Sequence, residues 1–255
     1  MNPSTSTDTS TSTTFIVTTR NNKPRSGSST NSIRTASSRR SSSSGSSIRS
    51  ISTSASDRQI VESILSLSAS PQPRPRPIPN SYWATPALLA CEYPWTPLVL
   101  DPSRQKLDCV LKAGVRTFID LTEEGELSPY ASHLFARTEE LGIDEADVEY
   151  HRFPIVDRRI PRNREAMYEV LEVLKDNERR GRICAVHCRG GIGRTGMVIG
   201  CWLVQSGLAK SGEDALKAIA IKWRTVEKCT RFPHSPETGP QFEFVKNFQP
   251  LRHVS

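Results

Sequence analysis

The sequence predicts an α/β protein with a mainly parallel central sheet flanked by helices, preceded by a disordered N-terminal tail. Three observations lead to this prediction. Half of the first 70 residues are serine or threonine. From about residue 80, short apolar segments alternate with amphipathic ones, and strands that alternate with helices usually form a mainly parallel sheet. A glycine-rich loop at 187–196 joins an apolar segment to the helical pattern that follows it.

The predicted tail, residues 1–70, contains 24 serines, 11 threonines, eight basic and three acidic residues. Such a segment buries too little apolar surface to offset its chain entropy, so we expect disorder. Its composition is typical of a phosphorylation-regulated or partner-binding segment and equally of a passive solvated tail. Within it, the spacing over Asp57–Leu67 predicts one short amphipathic helix.

Residues 71–79 alternate proline with other residues, in the run PQPRPRPIP. This pattern predicts a stiff polyproline-II spacer, with an SH3-type ligand as the alternative. A kinase is a further partner that we consider for the tail. The remaining residues, 80–255, suit one domain by length.

The elements of this domain follow from hydrophobic periodicity and end signals. Compact apolar or alternating runs predict strands at 88–90, 115–121, 148–153 and 182–187. Amphipathic spacing and capping residues predict helices at 101–113, 130–141, 162–179, 195–206, 211–222 and 241–248. Asp101 and Pro102 are a typical helix start, Gly114 is a typical end, and Ser211 with Asp214 forms a capping-box pattern.

Composition excludes several functional classes. No apolar run approaches the ~18 residues of a transmembrane helix, and the N-terminus lacks the pattern of a secretory signal. Six cysteines without such a signal favour free thiols in a reducing compartment, so we expect a cytoplasmic or nuclear protein; an organelle transit peptide is the weaker alternative. The charge of the basic tail is diluted by hydroxyl residues, so we expect no nucleic-acid partner. No zinc-type spacing occurs, and we expect no metal or other cofactor.

The chemistry of the sequence is concentrated in the loop between the last predicted strand and the next helix. Its residues are His187, Cys188, Arg189, Gly190, Gly191, Ile192, Gly193, Arg194, Thr195 and Gly196. Glycines in such a loop let backbone amides turn inward and cradle an anion at the helix N-terminus. No Walker A pattern occurs, so we do not expect the anion to be the tail of a bound nucleotide.

A cysteine at the head of this loop would face the helix dipole and an arginine. These surroundings favour its thiolate, which is a nucleophile. The guanidinium of Arg194 can grip two phosphate oxygens with its fork. We expect the Thr195 hydroxyl to donate to the sulfur, and His187 to shape the loop through hydrogen bonds.

The stretch resembles the H-C-x5-R-[ST] signature of the cysteine-based protein tyrosine phosphatases. The resemblance implies that Cys188 is the nucleophile and that Arg194 holds the transferred phosphoryl group. It also implies that the intervening residues bind the substrate phosphate, namely Arg189, Gly190, Gly191, Ile192 and Gly193. A rhodanese-like sulfurtransferase has a similar cysteine-headed loop, but the run Gly193–Gly196 argues against it.

The family also uses an aspartate, about thirty residues before the cysteine, to protonate the leaving oxygen. Asp157 lies 31 residues before Cys188, in the loop FPIVDRRIP; Asp147 and Asp176 are weaker alternatives. Gln241 lies where several members bring a glutamine to the site to orient the attacking water. The alternative for Gln241 is an ordinary polar residue at a helix start.

The compact length and the absence of a Trp-Pro-Asp acid loop resemble the dual-specificity branch, near the kinase-associated and atypical enzymes. This likeness implies a phosphomonoester hydrolase that works through phosphocysteine and acts on a phosphorylated protein. The alternatives are a phosphoinositide or inositol-phosphate phosphatase and a non-catalytic phosphate-binding module. The first alternative depends on arginines expected around the site, namely Arg158, Arg159, Arg162, Arg164 and Arg189.

Overall fold

The structure, a computed structural model, describes residues 74–98 and 105–251. The predicted tail, its helix at 57–67, the first part of the proline-rich segment and the predicted helix start at Asp101 lie outside the described residues. In the described part of the chain, no helix is long and apolar enough to cross a membrane.

The described residues form five strands, six α-helices and two short 3-10 helices. The strands are β1 (Ser81–Thr85), β2 (Leu88–Cys91), β3 (Val115–Asp120), β4 (Glu149–Arg152) and β5 (Ile183–His187). The α-helices are α1 (Lys106–Lys112), α2 (Ala131–Glu140), α3 (Arg164–Arg179), α4 (Gly193–Gln205), α5 (Gly212–Trp223) and α6 (Gly239–Lys246). The 3-10 helices are Glu145–Asp147 and Glu227–Thr230.

The strands form one sheet in the order β1-β2-β5-β3-β4, which confirms the predicted fold class. Only β1 runs antiparallel to its neighbour; the pairs β2–β5, β5–β3 and β3–β4 are parallel. The carboxyl ends of the parallel strands therefore meet at one edge. There, His187 at the end of β5 pairs in register with Cys91 on one side and Asp120 on the other.

Two apolar clusters cover the two faces of the sheet, because successive side chains of a strand point to opposite faces. Along β5, Cys184 and Val186 join one cluster and Ala185 joins the other. Helices α3 to α6 pack in the first cluster, and helices α1 and α2 pack in the second. The sheet is thus covered by helices on both sides, and the edge where β3 and β5 end remains for a site.

Local sequence signals predicted some helix ends correctly and placed others two residues away from where the structure has them. Ser211 caps α5 by accepting from the Asp214 amide, and Asn163 caps α3. The predicted start of α4 at Thr195 is two residues late, because Gly193 already enters the helix although glycine is a weak helix former. The last helix lies two residues earlier than predicted at both ends, since Thr238 is its N-cap.

Of the two edge strands, β4 confirms the strand predicted at 148–153, whereas β1 was not predicted. The sequence analysis missed β1, whose short run Ser-Tyr-Trp-Ala-Thr becomes a strand by pairing with β2. The sequence pattern also predicted that buried and exposed side chains alternate along β4, but all four of its residues are partly buried. Edge strands have one neighbour, and their sequences consequently carry weaker patterns.

The described part of the proline-rich segment packs on the domain and is not a free spacer. Ile78 is only 3% exposed and belongs to the core. Arg76 donates to the carbonyl of Thr225 at 2.5 Å, and the ring nitrogen of Trp83 donates to the carbonyl of Pro75 at 3.1 Å. The domain boundary predicted at residue 80 is therefore too late, because side chains from 74 onward find partners in the folded body.

Candidate active site

The loop at 188–192 begins where β5 ends and leads directly into α4. Cys188, its first residue, is 4% exposed and touches the apolar cluster under α4. The loop lies at the carboxyl edge of the sheet, where ligands bind in open α/β folds.

The carbonyls of this loop are held by groups outside it. The pairs are Arg189 with the amide of Tyr93 (3.2 Å), Gly190 with Nζ of Lys228 (3.3 Å) and Ile192 with Oγ of Ser235 (2.8 Å). In a planar trans peptide, the C=O and the following N–H point in opposite directions. The amides of Gly190, Gly191 and Gly193 therefore turn toward the inside of the loop. No described backbone carbonyl accepts from the amides of 189–192, which leaves them available to an anion.

Gly191 is required at its position for two independent reasons. Its φ is +72°, in the left-handed region that other residues rarely adopt. A Cβ placed there would lie 2.6 Å from the backbone of Cys91, at the end of β2. The loop thus presses against the neighbouring strand, which the sequence analysis did not anticipate when it assigned the glycines to inward amides alone.

Replacing Gly191 by alanine should lower the free energy of unfolding by about 2–5 kcal/mol. About 1–2 kcal/mol comes from the left-handed backbone, and about 1–3 kcal/mol from moving the Cys91 backbone away. Denaturant unfolding measures the loss. Gly207→Ala is the matched control, because its φ is +74° but nothing lies within 4 Å of the new Cβ. Equal losses in the two variants would contradict the steric part of the explanation.

Arg194 is 1% exposed and organises the centre of the site. Its two terminal nitrogens bind the two oxygens of Glu126, each at 2.7 Å, and Nη2 also binds Asp157 at 2.7 Å. Nη1 donates to the carbonyl of Ile155 at 2.9 Å. The Nε of Arg194 and the hydroxyl of Thr195 are buried without a partner among the described residues.

Arg194 and Glu126 each stabilise the charged form of the other. Burial opposes the charge of Arg194, but its hydrogen bonds to Glu126 and the nearby Cys188 outweigh burial and raise its pKa. Burial likewise opposes ionisation of Glu126, but the hydrogen bonds from Arg194 hold the pKa of this carboxyl below its ordinary value. The bidentate ion pair fixes the plane of the guanidinium.

Glu126 is a residue of the site that the sequence analysis missed. It lies in a loop after β3 that contains two further glutamates, Glu123 and Glu124, and nothing local distinguishes the three. Its side chain also approaches the exposed Arg189, at 3.5 Å from Nε. Arg194 lies 68 residues further along the chain than Glu126, and only the fold brings the two residues together. This contact distinguishes Glu126 from the neighbouring glutamates.

The structure places Asp157 at the site and the two alternative aspartates elsewhere. Asp157 is half exposed and reaches Arg194 from the segment 153–161, which we call the acid loop. Asp147 lies in a 3-10 helix, 4.0 Å from Arg182, and Asp176 pairs with arginines on α3 and at its end.

His187 lies beneath the loop and is fully buried. Its Nε2 shares a hydrogen bond of 2.6 Å with the hydroxyl of Tyr130, and its Nδ1 lies 3.8 Å from Asp120. Burial lowers the pKa of His187 to about 4, so the ring is neutral at neutral pH. Among the described residues the ring makes this hydrogen bond with Tyr130 and none with the loop, so the role of His187 in shaping the loop stays a prediction.

The expected cluster of arginines is only partly present. Arg158 binds Glu237 at 3.1 Å, and Arg189 approaches Glu126, so each is paired with a carboxylate. The other three, Arg159, Arg162 and Arg164, are exposed.

Gln241, by contrast, is buried and lies against Gly193 at the start of α4. Within 74–98 and 105–251, no group of three or more potential metal ligands occurs.

A cysteine and an arginine joined by one anion-binding loop, with an aspartate on the facing loop, define the class of cysteine-dependent phosphatases. A family model described as the Swiss Army Knife protein, DSP-PTPase phosphatase domain (PTP-SAK), matches residues 87–240. The chain belongs to this family, and the resemblance stated from the sequence is confirmed.

Relatives and a solved structure agree with this assignment. The protein 067L of Invertebrate iridescent virus 3, whose name describes a tyrosine phosphatase, is 33% identical over 108 residues, 41% of this chain and 40% of that protein. Protein tyrosine phosphatase domain-containing protein 1 of Danio rerio is 29% identical over 186 residues, 68% of this chain and 24% of that protein. The chain thus spans 40% or less of the length of these relatives. The crystal structure of Tk-PTP in a glycine-to-alanine mutant form is 25% identical, with a TM-score of 0.50, over 66% of this chain and 93% of that one.

Proposed function

We propose that the chain hydrolyses phosphomonoesters through a phosphocysteine intermediate, as a protein tyrosine or dual-specificity phosphatase. The observation that supports this most directly is the state of Arg194. Its terminal nitrogens are held by Glu126 and Asp157, while its Nε and the Thr195 hydroxyl are buried donors without a described partner. Buried donors without partners are costly; an oxyanion beside Cys188 would satisfy the Nε of Arg194, and the thiolate that forms when phosphocysteine is hydrolysed would accept from Thr195.

In the first step, the Cys188 sulfur attacks phosphorus and the bond from phosphorus to the ester oxygen breaks. Asp157, entering as the carboxylic acid, gives its proton to that oxygen, so that a neutral alcohol or phenol departs. Arg194 and the inward amides of the loop neutralise the charge on the three other phosphate oxygens. This charge stabilisation is the main task in phosphoryl transfer.

In the second step, a water molecule attacks the phosphorus of phosphocysteine. Asp157, now a carboxylate, accepts a proton from this water, and the sulfur leaves with the electron pair of the S–P bond. The Thr195 hydroxyl stabilises the departing thiolate by donating to it. The products are inorganic phosphate and the enzyme in its starting state.

The pairing of two arginines at the entrance supports a phosphoprotein substrate over a polyphosphorylated inositol. A multiply charged headgroup would be attracted by unpaired cations around the loop. Arg158 and Arg189 are each paired with a carboxylate, which reduces the positive field there, whereas Arg159, Arg162 and Arg164 are exposed. A phosphoinositide panel tests this preference.

The experiment follows turnover of an aryl phosphate by the full chain, with and without EDTA, and maps acid-quenched protein by mass spectrometry. We expect turnover unaffected by EDTA and a phosphoryl adduct on Cys188. Parallel panels of phosphotyrosine peptides, phosphothreonine peptides and phosphoinositides at low salt then rank the substrates. An inert protein that binds phosphopeptides would establish the non-catalytic alternative. Fastest turnover on phosphoinositides would establish the lipid alternative.

A further inference from the structure

Gln241 joins three parts of the structure through one buried side chain. Its Oε1 accepts from the amides of Glu237 and Thr238, both at 3.2 Å, in the capping box of α6. Its Nε2 donates to the carbonyl of Arg159, in the acid loop, at 3.0 Å. A Cβ added to Gly193 would lie 2.7 Å from Oε1, so the same side chain packs directly on the first residue of α4, where the loop at 188–192 (the phosphate-binding loop) ends.

Other contacts fasten the acid loop to the same segment. The Arg158 guanidinium binds Glu237 at 3.1 Å, and the Thr238 hydroxyl donates to the Arg158 carbonyl at 3.4 Å. Arg158 has a φ of 60°, which is uncommon for a residue with a side chain and persists only where surrounding contacts hold it. The residue directly before it is Asp157, so these contacts determine where the carboxyl group points.

The side-chain amide of Gln241 is poorly placed to orient a water molecule. The residue is fully buried, and its oxygen already accepts two hydrogen bonds. Its nitrogen is engaged by a backbone carbonyl. To position a nucleophilic water, the amide would have to give up bonds that cap α6 or hold the acid loop.

We propose that Gln241 is a positioning residue that fastens the acid loop to the phosphate-binding loop and so keeps Asp157 beside Arg194. This proposal rests on the proposed function, because it concerns the proton donor of the same reaction. It replaces the role in orienting water that the resemblance implied for Gln241.

The test compares two substrates that need the acid to different extents. Phenyl phosphate has a poor leaving group and depends on protonation, whereas p-nitrophenyl phosphate has a good one. Gln241→Met has a side chain of similar length without these hydrogen bonds. We expect it to lower kcat/KM for phenyl phosphate about tenfold, less than the roughly 10²–10⁴-fold that general acid catalysis supplies, and to change p-nitrophenyl phosphate little. Asp157→Asn should show the same selectivity with a larger loss.

A role in orienting water gives a different result. Hydrolysis of phosphocysteine is common to both substrates and follows departure of the leaving group, so kcat would fall for both substrates, kcat/KM would stay unchanged for both, and the Cys188 adduct would accumulate in a burst. An unchanged kcat/KM for phenyl phosphate, or equal losses of kcat/KM for the two substrates, overturns the proposal. If the wild-type chain hydrolyses neither substrate, the proposed function fails instead, and the two failures are distinguishable.

Two further variants keep the test decisive. Gln205→Met is the matched control, because the amide of Gln205 also clamps a chain segment, at Leu251, but away from the site; the ratio of the two substrates should not change. Glu237→Gln removes only the charge that pairs with Arg158 and leaves the bonds of Gln241 in place. It should produce a smaller loss of the same selective kind. If Gln241→Met does not fold, Gln241→Glu keeps an oxygen that can cap α6 and loses the donor to Arg159, and an unchanged ratio in that variant overturns the proposal.

Discussion

Replacing Cys188 by serine should abolish turnover of aryl phosphates and leave the binding of phosphate intact. A serine hydroxyl is a weak nucleophile unless a base activates it, and the neutral ring of His187 is already engaged with Tyr130. Arg194 and the inward amides remain, because none of the hydrogen bonds described for them involves the exchanged atom. Steady-state kinetics measures the first effect, and calorimetric titration with inorganic phosphate measures the second.

The control for this variant is Cys109→Ser. Cys109 lies on α1, on the other face of the sheet, and is only partly buried, so its replacement should leave kcat/KM unchanged. Residual turnover by Cys188→Ser above a tenth of the wild-type rate would show that the sulfur is not the nucleophile. Loss of phosphate binding together with activity would show that the exchange disrupts the loop.

Replacing Arg194 by lysine should lower kcat/KM by about 10³-fold or more, the range found when an arginine that stabilises phosphoryl transfer is removed. The fork of Arg194 binds Glu126 with both terminal nitrogens, and its Nε is buried without a partner among the described residues. A lysine ammonium is a single point and cannot fill these positions together. Kinetics with an aryl phosphate, with unfolding followed in parallel, separates lost catalysis from lost folding.

Arg180→Lys provides the matched control for this exchange. Arg180 binds Glu149 with both terminal nitrogens, at 2.7 and 3.0 Å, at the amino ends of β4 and β5, which is the opposite end of the sheet from the site, and it is nearer the surface. It therefore loses the same kind of bidentate pair without touching the loop, and its kcat/KM should stay at the wild-type value. Arg194→Lys with more than a tenth of the wild-type kcat/KM would contradict the assigned role of the guanidinium.

Local sequence patterns sufficed for those parts of the fold that local interactions decide. The strand at β5, the helices α3 and α5 and the order of the predicted elements followed from periodicity and, for α5, from the capping pattern at Ser211; the cap of α3 at Asn163 was not predicted. The edge strand β1 did not, because it is stabilised by its pairing with β2 rather than by its own pattern. The sequence did not predict that Ile78 lies in the core, because the prolines around it are typical of an exposed spacer.

The residues of the site also fall into two groups, those that local sequence patterns indicated and those that only the fold brings together. Cys188, Arg194 and Thr195 occur within eight residues of one another, and their spacing in a strand–loop–helix context was enough to indicate an anion-binding loop with a nucleophile. The positions of Glu126 and of the Gln241 amide depend on segments far apart in the chain.

The sequence by itself determined the class of chemistry, because the residues that define it are adjacent in one loop whose conformation its own glycines permit. Only the tertiary structure decided how the reacting groups are positioned relative to one another. The carboxylate that holds Arg194, the strand against which Gly191 packs and the glutamine that secures the acid loop are brought together by the folding of distant segments around the sheet edge. No local pattern records such contacts, since their free energy arises from burial and pairing across the fold and not from neighbours along the chain.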